Sequence, residues 1–246
     1  MTGTWTRVDI AGKPADVYDP PGPGRPRFGL LFLHPYGLET PRGKPAYERL
    51  LAELRLGCVC PQGGRSWWAD RVCTEFDPVL TPERHVVGNV LPWFEERWGL
   101  RPRSVGLSGA SMGGQGALRI AFRHPQLFPA VAAVAPAIEY HELYGRGLAL
   151  DAMYDSKEQC RQDTVPTHID PGHPPRHLFF CVDPDDPYWY RGAERLREKL
   201  AALGVAHECD LTTRAGGHSW DYFSHMADRS LRFLTAALDQ ESRRLL

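Results

Sequence analysis

Residues 109–113 read Gly109-Ala110-Ser111-Met112-Gly113, a G-x-S-x-G pentapeptide. The short, partly apolar run 104–108 before it predicts a buried strand, and residues 114–122 after it predict a helix. A serine on a sharp strand-to-helix turn projects its hydroxyl above the sheet, and flanking glycines allow the close backbone approach of such a turn. The first amides of the helix favour negative charge developing nearby. The stretch therefore predicts a nucleophilic serine at position 111.

Strands and helices alternate on both sides of the pentapeptide. Apolar runs predict strands at 15–19, 28–33, 58–61, 104–108, 131–136, 177–182 and 205–211. Helical spacing predicts helices at 45–56, 83–98 with a kink at Pro92, 114–123, 190–203 and 221–238. The alternation predicts an α/β fold, with a mainly parallel sheet and helices on both faces, in one domain spanning residues 1–246. Residues 139–176 interrupt the pattern, with one weak helix near 156–162, and form either a lid-like insertion over the active site or an ordinary surface excursion.

Composition narrows the class of protein. The chain has 246 residues and a formal net charge of −1, which gives no electrostatic reason to expect nucleic acid or an anionic membrane as partner. Residues 1–10 lack a signal-peptide pattern and no apolar run reaches membrane-spanning length, so a soluble cytoplasmic protein is the expectation. The six cysteines form no C-x-x-C pair and are expected to be buried free thiols, Cys58 and Cys181 in strands. No metal motif and no cofactor is indicated, and the oligomeric state is not readable.

A serine hydroxyl is a poor nucleophile until a base takes its proton. His218 follows the last predicted strand and precedes the last helix, in Gly216-Gly217-His218-Ser219-Trp220, which makes it the candidate base. The acid is expected after the strand 177–182, in Asp183-Pro184-Asp185-Asp186-Pro187. Asp183 ends that strand and is expected to bond local backbone amides. Asp186 is the first choice for the acid and Asp185 the second.

An oxyanion intermediate needs two backbone N–H donors. One is expected from Met112, directly after the serine. The other is expected from the loop His34-Pro35-Tyr36-Gly37 that follows the strand 28–33. Pro35 has no N–H, so Tyr36 is the better candidate.

Other side chains near the carboxyl ends of the strands are candidates for substrate binding. Trp67 and Trp68 are expected either to form the wall of a pocket or to pack in a buried aromatic cluster. Arg71 is expected either to bind a substrate carboxylate or to pair with Asp70 or Glu75. Gln115 and Trp220 flank the serine and histidine loops and are expected to line the pocket.

The serine motif and its continuation Gly114-Gln115-Gly116-Ala117-Leu118, with Phe122-Arg123-His124-Pro125 and Phe128, resemble the esterase D-type branch of the α/β-hydrolases. That branch includes S-formylglutathione hydrolases, feruloyl and acetyl-xylan esterases, polyhydroxyalkanoate depolymerase-like proteins and mycolyltransferases. The histidine loop is similar as well, and the resemblance covers roughly residues 28–235. Many relatives have His-Gly where this chain has His34-Pro35, and their spacing back from Gly204 favours Asp186 over Asp185.

The resemblance implies an α/β-hydrolase fold and a serine carboxylesterase that cleaves a small-molecule ester or thioester through an acyl-enzyme. Ser111 would attack the carbonyl, His218 would take its proton and Asp186 would hold the imidazole. Two alternatives stay open on the sequence. One is an acyltransferase that uses the same residues with a sugar or amine acceptor, and the other is a catalytically silent binding protein of the same fold.

Overall fold

A single mixed sheet forms the centre of the computed structural model, which describes residues 3–244, so that residues 1–2 and 245–246 of the predicted domain lie outside it. The strands are β1 (Thr4–Ile10), β2 (Lys13–Asp19), β3 (Phe28–Leu33), β4 (Leu56–Pro61), β5 (Val105–Ala110), β6 (Ala130–Val134), β7 (His177–Cys181) and β8 (Glu208–Asp210). Their order across the sheet is β1-β2-β4-β3-β5-β6-β7-β8. β2 is antiparallel to both of its neighbours, β1 and β4, and strands β3 to β8 are parallel to one another. The predicted, mainly parallel sheet is confirmed.

Helices cover both faces of this sheet, as predicted. They are α1 (Pro45–Glu53), α2 (Pro82–His85), α3 (Leu91–Trp98), α4 (Met112–Arg123), α5 (Leu150–Met153), α6 (Lys157–Arg161), α7 (Tyr190–Ala202), α8 (Trp220–His225) and α9 (Ala227–Arg243). Buried side chains of α1, α8 and α9 share one apolar core, and those of α3, α4 and α7 share the other. None of these helices is long and apolar enough to cross a membrane.

Two predicted helices are divided in the structure. The helix predicted at 83–98 consists of α2 and α3 joined by a π-helical turn, Val86–Val90. Pro92 lacks the N–H that would continue the regular ladder and its ring crowds the preceding turn, which accounts for irregular backbone there. The helix predicted at 221–238 is α8 followed by α9, which meet at Met226 and continue to Arg243.

Strand β1 was not predicted. It pairs with β2 through a hairpin whose two turn residues, Ala11 and Gly12, both have positive φ values of 51° and 80°. Such φ values match the right-handed twist of the flanking strands. β1 lies at the edge of the sheet and is partly exposed, so its apolar content is low. The apolar residues Trp5, Val8 and Ile10, which do not alternate strictly, and Gly12 after them were its only signals.

The six cysteines are all free, and all but the half-buried Cys209 are buried. The prediction of buried free thiols is confirmed for Cys58 and Cys181, which lie in β4 and β7. The sulfur atoms of Cys58 and Cys60 are 3.6 Å apart on the same face of β4.

A buried ionic network attaches the segment 139–176 to α4. The guanidinium of Arg119 is paired with Asp163 of the segment and with Glu83 of α2. Burial opposes ionisation of Glu83, but His124, Arg119 and Arg123 outweigh it and lower the pKa of Glu83 to about 2. Tyr154 donates a 2.7 Å hydrogen bond to Asp163. The segment is therefore held against the helix that follows Ser111, and its role as a lid stays a prediction.

Candidate active site

Ser111 lies on the sharp turn between β5 and α4 with φ 54° and ψ −118°. A non-glycine residue in this region costs on the order of 1–3 kcal/mol, a strain that recurs at functional sites. The turn needs glycine on both sides because the backbone packs closely there. A Cβ on Gly109 would collide with the backbone of Gly113, and one on Gly113 would collide with the carbonyl of Leu33. The pentapeptide is thus explained by local sterics.

His218 bridges Ser111 and Asp186. Its Nε2 is 2.8 Å from Ser111 Oγ and its Nδ1 is 2.7 Å from Asp186 Oδ2. The Asp186 side chain is fully buried, whereas that of His218 is 17% exposed. Because a carboxylate only accepts, Nδ1 donates to Asp186 and Nε2 is left to accept the serine hydroxyl. The arrangement allows the imidazole to take a proton from Ser111.

The neighbouring residues Asp185 and Asp186 have different hydrogen-bond partners. The second carboxylate oxygen of Asp186 accepts the amides of Tyr188 at 2.8 Å and Trp189 at 3.1 Å. Asp185 is 61% exposed and pairs with Arg214 at the surface. The structure therefore brings Asp186 to His218 and leaves Asp185 outside the hydrogen-bonded chain.

Asp183 connects the acid loop to the histidine loop. One of its oxygens accepts the amides of Ala215 at 2.7 Å and Gly217 at 2.9 Å, and the other accepts Asp185 N at 2.8 Å. Burial opposes its ionisation, but these three amides hold the pKa of Asp183 below its ordinary value. The sequence predicted bonds to local amides only. The two bonds to the loop that carries His218 were not foreseen, because they span more than thirty residues.

The two predicted oxyanion donors lie on adjacent loops. β3 and β5 are parallel neighbours with Leu33 opposite Gly109, so the loops that follow them leave the sheet side by side. Within residues 3–244, the amides of Tyr36 and Met112 donate to no protein acceptor. Neither amide is taken up by a protein acceptor among the described residues, as the predicted role requires.

His34 fixes the loop that carries Tyr36. Its Nδ1 donates to the carbonyl of Pro35 at 2.8 Å and its Nε2 accepts the amide of Gly63 at 2.9 Å. The carbonyl of His34 accepts the indole N–H of Trp68 at 3.1 Å. Burial lowers the pKa of His34 to about 4, so the ring is neutral at physiological pH. The donor loop is thereby tied to the residues that follow β4.

Acid is expected to destabilise the protein through His34. Its pKa is about 4 in the folded chain against 6.5 ordinarily, so the unfolded chain binds more protons between these values. The stability contributed by the neutral ring is present above pH 6.5 and is lost as the pH falls towards 4, by about 3 kcal/mol. Urea unfolding at pH 7 and pH 4.5 measures this loss.

His34→Gln is expected to be less stable than the wild type at pH 7 but to show a smaller further loss at pH 4.5. His173→Gln removes an exposed histidine and serves as the control, with the wild-type pH dependence. An identical pH dependence in His34→Gln and the wild type would contradict the assignment.

Three of the predicted pocket residues are buried. For the two tryptophans this agrees with the alternative of a buried aromatic cluster, and for Gln115 it differs from the expectation that the side chain lines the pocket. Trp68 is fully buried, and a Cβ on Gly63 or Gly116 would collide with its ring. Trp67 is 2% exposed and stacks on Tyr140 with ring centroids 4.9 Å apart. Gln115 is also buried and donates to the carbonyl of Trp67. Both tryptophans have positive φ, at 56° and 53°, in a turn that directs the rings into the core.

Trp220 and Arg71 keep part of their surface in solvent. The Trp220 indole donates to Glu39 at 2.7 Å, and the ammonium of Lys44 lies 4.2 Å from the ring centroid. Trp220 is thus half-buried at the start of α8, directly after the loop that carries His218. Arg71 pairs with neither Asp70 nor Glu75. Within residues 3–244, no group of three or more His, Cys, Asp or Glu side chains is placed to hold a metal ion.

The sequence did not point to one aromatic residue of the site, Tyr188. Its side chain is 69% exposed, and its ring is nearly perpendicular to that of His218 at 5.9 Å. Its amide is one of those bound by Asp186. The available signal was Asp186 itself. An Asp often accepts the backbone amides of residues two and three positions later in an Asx-type turn, which brings Tyr188 next to the carboxylate.

Solved structures of several hydrolases resemble this chain over most of its length. An S-formylglutathione hydrolase from Agrobacterium tumefaciens is 17% identical, with 96% of this chain and 94% of that one covered and a TM-score of 0.79. An S-formylglutathione hydrolase from Staphylococcus aureus is 15% identical, with 96% and 100% covered and a TM-score of 0.79. FphF, a fluorophosphonate-binding serine hydrolase from Staphylococcus aureus, is 16% identical, with 96% and 99% covered and a TM-score of 0.76. The α/β-hydrolase fold is confirmed.

No curated protein sequence matches the chain significantly. The model of the family described as "Putative esterase" matches residues 59–234. This range is more than half of the chain and includes Ser111, Asp186 and His218. The resemblance to the esterase D-type branch is confirmed by this match together with the structural likeness to S-formylglutathione hydrolases. The chain therefore belongs to this esterase family, which supports ester hydrolysis as its activity.

Proposed function

We propose that the protein is a serine carboxylesterase that cleaves a small-molecule ester or thioester through an acyl-enzyme on Ser111. The observation that supports this most directly is the hydrogen-bonded chain from Ser111 through His218 to Asp186. Membership of an esterase family supports the same chemistry. Three further statements stay predictions from the sequence. They are the cytoplasmic location, the single domain spanning residues 1–246, and the lack of a nucleic-acid or membrane partner.

Acylation begins when Ser111 Oγ attacks the substrate carbonyl carbon. The hydroxyl proton passes to His218 Nε2, and Asp186 stabilises the imidazolium and keeps the ring in place. The amides of Met112 and Tyr36 donate to the oxyanion, and loss of one such donor costs on the order of 3 kcal/mol of transition-state stabilisation. His218 then gives its proton to the departing alcohol or thiol, and Ser111 is left acylated.

Deacylation uses the same groups with water as the nucleophile. His218 takes a proton from the water, whose oxygen attacks the acyl carbon. The tetrahedral intermediate again places its oxyanion on the two amides. Its collapse returns the proton to Ser111 Oγ and releases the carboxylic acid.

Covalent labelling with a fluorophosphonate probe, together with turnover of p-nitrophenyl acetate, tests the proposal. The probe is expected to add its mass to the peptide that contains Ser111, and pre-labelling is expected to abolish turnover. Ser111→Ala should take up no probe, whereas Asp185→Asn should label like the wild type because its carboxylate faces solvent. A folded wild-type protein that neither takes up the probe nor hydrolyses the ester would refute the proposal.

A further inference from the structure

Arg71 differs from the other arginines of the described chain. Within residues 3–244 all arginines are exposed except Arg65, Arg71 and Arg119. Arg65 pairs with Glu75 at 2.9 Å, and Arg119 pairs with two buried carboxylates. Arg71 is half-buried and pairs with no carboxylate of residues 3–244. Withdrawing an unpaired cation from water costs free energy, which a bound anion would offset.

The carboxylates nearest in sequence to Arg71 are already engaged. Asp70 lies 3.2 Å from Arg84 and 3.4 Å from Arg123, and it accepts the hydroxyl of Thr81 at 2.7 Å. Glu75 is held by Arg65. The charge of Arg71 is therefore not neutralised from within its own loop.

Arg71 lines a cavity of about 530 Å³ between its loop and helix α5. The apolar part of the wall comes from Val72, Ala149, Ala152 and Met153. The polar part comes from Thr74 and from Glu75, whose charge Arg65 compensates. Cavities of this volume hold small molecules, and here one free positive charge faces an apolar wall.

The guanidinium is held in place by the side chain beneath it. The central carbon of the Arg71 guanidinium lies 5.3 Å from the ring centroid of Tyr154. The Tyr154 hydroxyl donates to Asp163 at 2.7 Å and is 3.1 Å from the hydroxyl of Tyr140. A guanidinium over an aromatic face keeps N–H groups free at its edge, and two of these match the oxygens of a carboxylate.

The cavity lies on the face of the sheet that α4 covers, because Cys73 and Met153 line it and belong to the same apolar core as α4. Tyr140, which supports Tyr154, stacks on Trp67, and the carbonyl of Trp67 is bound by Gln115 in the first turns of α4. A continuous layer of aromatic side chains therefore connects the cavity to the helix that begins next to Ser111.

We propose that Arg71 and this cavity bind the carboxylate of a small molecule with a short apolar chain. The carboxylate belongs either to the remote end of the ester substrate or to a separate carboxylic acid. In the first case the inference rests on the proposed esterase function and defines its substrate class. In the second case it describes an anion site independent of catalysis.

Kinetics with two matched esters test the first source. The p-nitrophenyl half-ester of glutaric acid carries a terminal carboxylate, and p-nitrophenyl pentanoate has a similar chain without charge. Arg71→Gln is expected to lower kcat/KM for the charged ester by about 10- to 100-fold, the range of a charge-assisted hydrogen bond, and to change the neutral ester less than twofold. Arg71→Lys should recover part of the loss. Arg103→Gln changes an exposed arginine that lines a different cavity, at the amino ends of β5 to β8, and should change neither ester.

Calorimetric titration with glutarate tests the second source and does not depend on turnover. Wild-type protein and Ser111→Ala are expected to bind glutarate, and Arg71→Gln with an unchanged melting temperature is expected not to. Glutarate binding to Ser111→Ala involves no turnover at Ser111. The measurement therefore stays informative if the esterase proposal fails. Loss of glutarate binding without a charge-selective kinetic effect assigns the site to a separate acid. Equal kinetic effects on both esters together with no Arg71-dependent glutarate binding would overturn the proposal.

Discussion

Replacing Ser111 with alanine is expected to lower kcat for short p-nitrophenyl esters by about 10⁶-fold, the loss seen when the nucleophile of such a site is removed. Alanine keeps the Cβ, so the strained turn at φ 54° is preserved and only the hydroxyl is lost. The amides of Tyr36 and Met112 are the proposed oxyanion donors and are unchanged in the variant, so a residual rate above that of water is expected. Burst and steady-state release of p-nitrophenol measure the effect.

The double variant Ser111→Ala/His218→Ala is the control for this result. Residues that act as one unit give losses that are far from additive, so the double variant is expected to be no slower than either single variant. A circular dichroism spectrum and a melting curve like those of the wild type show that folding is not the cause. A Ser111→Ala protein with kcat within tenfold of the wild type would contradict nucleophilic catalysis at this residue.

The parts of the fold that depend on local chemistry could be predicted from the sequence. The turn at Ser111 is one example, because Gly109 and Gly113 are required by contacts only a few residues away or across one neighbouring strand. The parallel core is another, since β3 is a continuous apolar run and both β3 and β5 are buried along their whole length.

The parts that depend on distant contacts could not be predicted. Asp185 and Asp186 are adjacent and chemically identical, so only the spacing of the resembling family favoured Asp186, and the contact with His218 depends on the fold of the histidine loop. Asp183 fixes that loop through the amides of Ala215 and Gly217, which no local pattern shows. The burial of Trp67 depends in the same way on Tyr140 and Gln115, each more than forty residues away.

Asp186→Asn is expected to lower kcat by about 10⁴-fold while the site keeps its shape. One Asp186 oxygen accepts the amides of Tyr188 and Trp189, so the asparagine carbonyl is expected to occupy that position. The asparagine NH₂ then faces His218 Nδ1, 2.7 Å away in the wild type, and makes that nitrogen an acceptor. The ring proton then sits on Nε2. A protonated Nε2 can no longer accept the proton of Ser111. Steady-state kinetics with p-nitrophenyl acetate measure the loss.

Asp185→Asn is the matched control, because it makes the same chemical change one residue away. Its carboxylate is exposed and paired only with exposed Arg214, and such surface pairs contribute about 0–1 kcal/mol. Its kcat is therefore expected to stay within twofold of the wild type. The rate of fluorophosphonate labelling should follow the same order, slow in Asp186→Asn and unchanged in Asp185→Asn, since labelling also needs His218 as the base. The opposite order in both assays would transfer the role of the acid to Asp185, and equal small losses would mean that neither carboxylate orients His218.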